Sequence, residues 1–221
     1  MNQKQVFFTV LGGRVKFYRG DYNLTSDAVW LAAFIAKNTK IKNILDVGIG
    51  TGGVSLCLLE HKPDLEITGI DISQKMLREA EKNAELNNRQ IKLLNEDILS
   101  WKTSKTFDAV ITNPPYFKGN AAKHGAHHNV DLNKWTMTCL KRVKPRGYFY
   151  TIIDTNVAGE VIAALYNGKA GDIEIIPLFS TGKKIAERVL ISARLGVKTG
   201  TKIYSGMLIN DKKILQDANL I

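Results

Sequence analysis

The sequence predicts an α/β protein with a doubly wound, mostly parallel seven-stranded sheet and an antiparallel C-terminal strand. Three observations predict it. Short apolar runs alternate with helical patterns from Ile41 to Ile153, the order that gives parallel strands joined by right-handed crossovers. A glycine-rich turn follows the first of these runs. Two β-rich runs near the end have only a loop between them.

In chain order, Ser26 can cap a helix through Asp27 to Ala36, with Asp27 near its positive end. Ile41 to Val47 reads as a buried strand and Val54 to Glu60 as a helix. Ile67 to Ile72 is a second strand, and Gln74 to Asn87 has apolar residues at helical spacing with charges opposite. Ile91 to Leu94 is a third strand. A fourth, Phe107 to Thr112, ends at Asn113-Pro-Pro-Tyr116. Leu132 to Val143 reads as a helix, Lys144 to Gly147 as a turn, and Tyr148 to Ile153 as a fifth strand. Ile173 to Ser180 and Arg188 to Leu195 form an expected hairpin at the sheet edge. Residues 196–221 show no pattern that places them.

At 221 residues, 44% hydrophobic and 24% charged, the chain suits one globular domain, and disorder throughout is excluded. Cys57 and Cys139 lie in apolar stretches and read as reduced core residues, leaving no material for a disulfide framework. The opening has no signal-peptide pattern and no 18-residue apolar run follows, so a cytoplasmic protein without a membrane segment is expected. The net charge of +10 is uneven. Residues 1–40 and 141–221 supply +4 and +6, while residues 41–140 are neutral. A neutral middle with basic flanks fits a protein that holds a polyanion around a pocket.

Asp46-Val-Gly-Ile-Gly-Thr-Gly-Gly53 carries the first chemistry. Glycines after a strand let the backbone approach a ligand, and the next helix offers free N–H groups. Gly48, Gly50 and Gly53 satisfy a dinucleotide fingerprint, with Asp71 in place for a ribose. Asp46, directly before the glycines, suits a ligand with an ammonium and a sulfonium better than a pyrophosphate. S-adenosyl-L-methionine (SAM) is such a ligand. Asp71 would take both ribose hydroxyls. Asp97 would accept from the adenine amine or, equally on spacing, cap the next segment.

Asn113-Pro114-Pro115-Tyr116 stands at the carboxyl end of a strand, where open α/β sheets bind ligands. An exocyclic amine or an amide nitrogen is a poor nucleophile because its lone pair is delocalised. The Asn113 side-chain oxygen and the Pro114 carbonyl can accept its two N–H groups and turn the lone pair towards a methyl donor. Tyr116 offers a stacking face. Asn113 cannot take the proton at neutral pH, so positioning and electrostatics carry the rate.

Together these motifs resemble class I SAM-dependent methyltransferases of the (N/D)PPY group, with their Rossmann-like fold. Leu11-Gly-Gly-Arg-Val-Lys-Phe17, Asp21 to Phe34, Asn113 to Phe117 and Arg188 to Gly196 are similar to the bacterial tRNA adenine-N6 methyltransferases that act beside the anticodon of a valine tRNA. Ile49 is bulkier than the residue usual in that glycine loop. The resemblance implies catalytic roles for Asn113, Pro114 and Tyr116, and a substrate pocket of Pro115, Tyr116 and Phe117. It implies cofactor contacts at Thr25 and Asp27, which lie in a segment that closes over the methionine part of SAM. Further contacts are implied at Asp46, Gly48, Gly50 and Gly52, at Asp71 and Ile72, and at Asp97, Ile98 and Asn113. Residues 1–40 then form a segment covering the cofactor pocket, and residues 41–221 the methyltransferase domain. The partner implied is tRNA, and a monomer is expected.

Other readings remain open at this point. Glutamine methyltransferases of release factors use the same Asn-Pro-Pro-Tyr chemistry on an amide, but carry a helical domain ahead of the glycine motif where about forty residues stand here. Guanine-N2 methylation of rRNA is another alternative. An NAD-dependent dehydrogenase leaves Asp46 and the proline motif unexplained, and a non-catalytic RNA-binding module needs only Tyr116 to stack. His124, His127 and His128 lie in a polar loop without fixed ligand geometry, so no metal is expected. Trp30, Phe34 and Trp135 read as core.

Overall fold

The computed structural model describes residues 7–20, 24–114, 130–182 and 184–217. Strands β1 (Phe7–Val10) and β2 (Val15–Tyr18) pair antiparallel around a Leu11–Gly13 turn. This ribbon was absent from the sequence reading. Its inward residues Leu11, Val15 and Phe17 are buried, so the segment belongs to the core. Helix α1 (Ser26–Ala36) is apolar all round and buries nine of its eleven residues, which supports it without a side-chain cap. Ser26 is not the cap expected of it: Thr25 occupies that position and its side chain makes no capping bond.

The glycine turn joins β3 (Asn43–Val47) to α2 (Gly53–His61), and β4 (Glu66–Asp71), α3 (Gln74–Leu86) and β5 (Lys92–Asn95) follow. Then come β6 (Phe107–Thr112), α4 (Leu132–Leu140) and β7 (Val143–Asp154). The expected Lys144–Gly147 turn lies inside β7 as a bulge, where the pairing with β6 shifts register between Phe107 and Ala109. A Cβ at Gly147 would stand 2.8 Å from the Asp108 carbonyl, so the bulge needs glycine there. Helix α5 (Ala158–Asn167) was not singled out in the sequence, although Val161, Ala164 and Leu165 bury one face at helical spacing. The chain ends in β8 (Ala170–Phe179), β9 (Arg188–Leu195), β10 (Lys202–Ile203), β11 (Met207–Leu208) and α6 (Lys212–Asp217).

Across the main sheet the order is β10-β8-β9-β7-β6-β3-β4-β5, with β11 also on β8. Strands β3 to β7 are parallel and β9 is antiparallel to both β7 and β8. The mostly parallel sheet and its hairpin are as expected, but the hairpin is not the edge. Val189 to Ala193 are buried on both faces, which drives β9 to an interior position between β7 and β8. Residues 196–217 supply that edge through β10 and β11. They also pack back on α1, where the Trp30 indole donates to the Ile209 carbonyl at 2.9 Å. Trp30 and Phe34 are core, as are Cys57 and Cys139, whose thiols are free. Burial pushes the Cys57 thiol up to about 12.

Candidate active site

The chain leaves β3 through glycines in the left-handed region: Gly48, Gly50 and Gly52 have φ of 71°, 55° and 87°. Side chains rarely adopt these values, so the turn requires glycine for its shape as well as for close approach. The N–H groups of Gly48 and Ile49 donate to the Ile70 carbonyl at 2.8 and 3.2 Å, locking the turn to β4. Ile49 is accommodated by Gly69, because its Cδ1 occupies the place a Cβ at 69 would take. From α3, Asn83 Nδ2 donates to the Thr51 carbonyl at 3.0 Å.

Asp46 is 2% exposed and its Oδ2 accepts from Ser55 Oγ at 2.6 Å. Burial pushes this carboxyl up to about 7; the Ser55 bond works against that and the Asp71 charge adds to it. Asp71, at the end of β4, accepts from the Gly50 N–H at 2.9 Å and the Ser73 N–H at 2.8 Å, one on each oxygen. Each oxygen has a second lone pair, so the two can still meet a diol. Ile72 beside it is 74% exposed, an apolar side chain standing next to the carboxylate.

Past β5, Asp97 Oδ1 accepts from the Leu99 N–H at 2.9 Å. Its carbonyl takes the N–H groups of Ser100 and Trp101. The capping role is therefore present, and it occupies one of the two carboxylate oxygens. Ile98 is 3% exposed and packs in the core among Ile70 and Val110.

At the end of β6, Thr112 is 1% exposed. Its Oγ1 donates to the Val47 carbonyl at 2.9 Å and accepts from the Trp135 indole at 3.2 Å. Trp135, in α4, also stands 3.6 Å from where a Gly48 Cβ would be. Asn113 is half-buried and Pro114 buried at this strand end, one strand away from the glycine turn. Pro115, Tyr116 and Phe117, like His124, His127 and His128, lie outside the described residues. No cluster of three metal-ligating side chains occurs among the described residues.

Thr25 is exposed and Asp27 7% exposed, its carboxylate 3.3 Å from Arg188 Nε. Leu24 Cδ1 occupies the place a Cβ at Gly53 would take. The entry to α1 is thus pressed on the end of the glycine turn. The structure therefore brings Asp46, the glycines and Asp71 together directly and sets Asn113 at the end of the neighbouring strand. Sequence reasoning missed Leu24, Ser55, Asn83, Thr112 and Arg188 and took Trp135 for core alone. Ser55 and Thr112 are short polar residues next to known motifs, a usable signal, whereas Leu24 and Arg188 reach the site only through tertiary packing.

Residues 25–161 match the family model of the methyltransferase small domain. The chain belongs to that family. Among curated relatives, a tRNA1(Val) (adenine(37)-N6)-methyltransferase of Glaesserella parasuis is 32% identical over 110 residues, 48% of this chain and 46% of that one. A release factor glutamine methyltransferase of Flavobacterium psychrophilum is 36% identical over 104 residues, 46% of this chain and 36% of that one. The chain thus spans half or less of the length of these two family relatives. A putative protein N5-glutamine methyltransferase of Methanocaldococcus jannaschii is 29% identical over 189 residues, 84% of this chain and 90% of that one. In fold, a predicted O-methyltransferase of Agrobacterium tumefaciens superposes over 87% of this chain and 96% of its own, with a TM-score of 0.72 at 20% identity.

Proposed function

We propose that the protein is a SAM-dependent N-methyltransferase whose substrate is the N6 amine of an adenine in tRNA. The observation that carries the chemistry is the joint between its two motifs. Thr112, immediately before Asn113, is hydrogen-bonded to Val47, immediately before the glycine turn, so an amine-binding end and a cofactor-binding end lie side by side.

The residues fit SAM. The glycine turn leaves close approach open, the Asp71 oxygens suit the ribose diol, and the buried Asp46 carboxyl is one whose charge a nearby cation would favour. Asp97 and the exposed Ile72 would hold the adenine end of SAM, and Leu24 to Asp27, whose Leu24 packs on Gly53, would cover the turn. SAM would supply an electrophilic methyl on a sulfonium, whose sulfur keeps the electrons of the broken S–CH3 bond and leaves as a neutral thioether. Asn113 Oδ1 and the Pro114 carbonyl accept the two amine N–H groups and aim the nitrogen lone pair. They bind most strongly as those N–H groups become more acidic, which lowers the barrier. The proton then leaves to solvent or to the carbonyl. Tyr116 is assigned the stacking of the base, with Pro115 and Phe117 beside it in sequence, after the base is flipped out.

The tRNA substrate is supported by the adenine-N6 relatives and by the basic flanks. Protein glutamine is the second reading, and one observation favours it. The Methanocaldococcus relative is matched over 90% of its length, so the short stretch ahead of the glycine motif does not count against a glutamine substrate.

Transfer of labelled methyl from SAM to total RNA and to release factors, with nucleoside analysis of the RNA, tests the proposal. Label in N6-methyladenosine of the tRNA fraction is expected. Label in release factor alone overturns the substrate, and no transfer to either overturns the reaction.

A further inference from the structure

Arg188 opens β9 at the carboxyl edge of the sheet and ties three pieces of chain together. Its Nε donates to Asp27 Oδ2 at 3.3 Å, and its Nη1 donates to Asp154 Oδ2 at 3.1 Å and to the Glu187 carbonyl at 3.0 Å. Asp27 lies in the first turn of α1 and Asp154 ends β7, directly opposite Arg188 in the strand register. The Asp27 side chain is 9% exposed and the Arg188 side chain 24%, so solvent and salt screen this bridge less than a surface pair. Next to Asp27, Leu24 packs on Gly53, and the Ala28 Cβ lies 3.3 Å from where a Gly53 Cβ would be. The entry to α1 is therefore held at one end on the glycine turn and at the other on β7 and β9.

The order of strand ends gives this clamp a direction. Across the edge come Asp97 after β5, Asp71 on β4, the glycine turn after β3, Asn113 after β6, and Asp154 on β7. A SAM molecule held with its adenine by Asp97 and its ribose by Asp71 would have its sulfonium and amino-acid end towards β6. The α1 entry lies on that side.

We propose that Arg188 is a positioning residue of the cofactor site, holding Leu24 to Ala28 against the glycine turn over the amino-acid end of SAM. The inference rests on the SAM reading above. A planar guanidinium presents separate donors to two carboxylates, whereas a lysine ammonium is a point charge on a flexible stem. Removing the cation leaves Asp27 and Asp154 without the charge they share and releases the α1 entry from the sheet edge.

The test compares SAM with adenosine, which lacks the amino-acid end, by calorimetry on the parent, Arg188→Gln and Arg188→Lys, alongside thermal midpoints. Arg188→Gln is expected to weaken SAM by about tenfold, Arg188→Lys by less, and neither to change adenosine affinity. Should Arg188→Gln fail to fold, Asp154→Asn removes one arm of the clamp, and a loss of SAM affinity with adenosine unchanged is expected again. SAM affinity equal to the parent's, or equal losses for SAM and adenosine together with a lower midpoint, overturns the proposal. A parent protein that binds adenosine and SAM no better than NADH overturns the cofactor reading instead.

Discussion

The Thr112 hydroxyl donates to the Val47 carbonyl across 2.9 Å, and both residues are buried to within 1%. Because Trp135 donates to the same hydroxyl at 3.2 Å, one side chain joins β3, β6 and α4 where the two motifs meet. Thr112→Val keeps the shape but removes the hydroxyl that serves both the buried Val47 carbonyl and the half-buried Trp135 indole N–H. The expected cost is about 1–3 kcal/mol of stability, read by denaturant unfolding, with reduced turnover because Asn113 loses its anchor. A variant with parent-like midpoint and turnover would show the bond to be dispensable.

Asn113→Ala removes one of the two amine acceptors without touching Asp46, Asp71 or the glycine turn. SAM affinity should fall far less than the rate, because Asp46, Asp71 and the glycine turn remain, while single-turnover methyl transfer at saturating substrate falls on the order of 10²–10³, the scale for one preorganised electrostatic group. A parent rate in this variant would reduce Asn-Pro-Pro-Tyr to a strand stop.

The Asp46 carboxyl is pushed up to about 7 from an ordinary 3.8 by burial. The folded state thus holds a proton that the unfolded chain gives up, so this group favours folding most at low pH, and its contribution declines as pH rises from about 4 through about 7. Binding a cationic cofactor beside it lowers that value again. SAM affinity should therefore rise with pH up to about 7, approaching tenfold per unit, and level off above. Calorimetry in buffers of different ionisation enthalpy at pH 6 should show proton release, and Asp46→Asn should abolish it. A dissociation constant identical at pH 6 and pH 8 in the parent would contradict the assignment.

The basic flanks predict a steep fall of RNA affinity with salt and little change for SAM, since only the polyanion sheds a counterion atmosphere. Substituting Arg14, Lys16, Arg19 or Lys183 by Ala should flatten the slope by an amount near one unit for each cation that meets a phosphate. A parent slope close to zero, measured by fluorescence anisotropy, would move the substrate towards protein glutamine.

The alternation of apolar runs and amphipathic helices determined the parallel sheet, because buried strands and half-buried helices need those local patterns whatever surrounds them. The left-handed glycines after β3, the carboxylates Asp46 and Asp71, and the strand end at Asn113 were legible for the same reason: each is required by local backbone geometry or by the chemistry of a short motif. What only the tertiary structure decided depends on contacts between residues far apart in the chain. Interior burial of β9 placed it between β7 and β8, where local pattern suggested an edge. The Lys144–Gly147 turn became a bulge because the pairing with β6 continues on both sides of it. Ile49 fits only because Gly69 faces it from the next strand, and Arg188 meets Asp27 across 161 positions of sequence. No local preference encodes such a contact, since it exists only once the sheet has brought its strand ends to one edge.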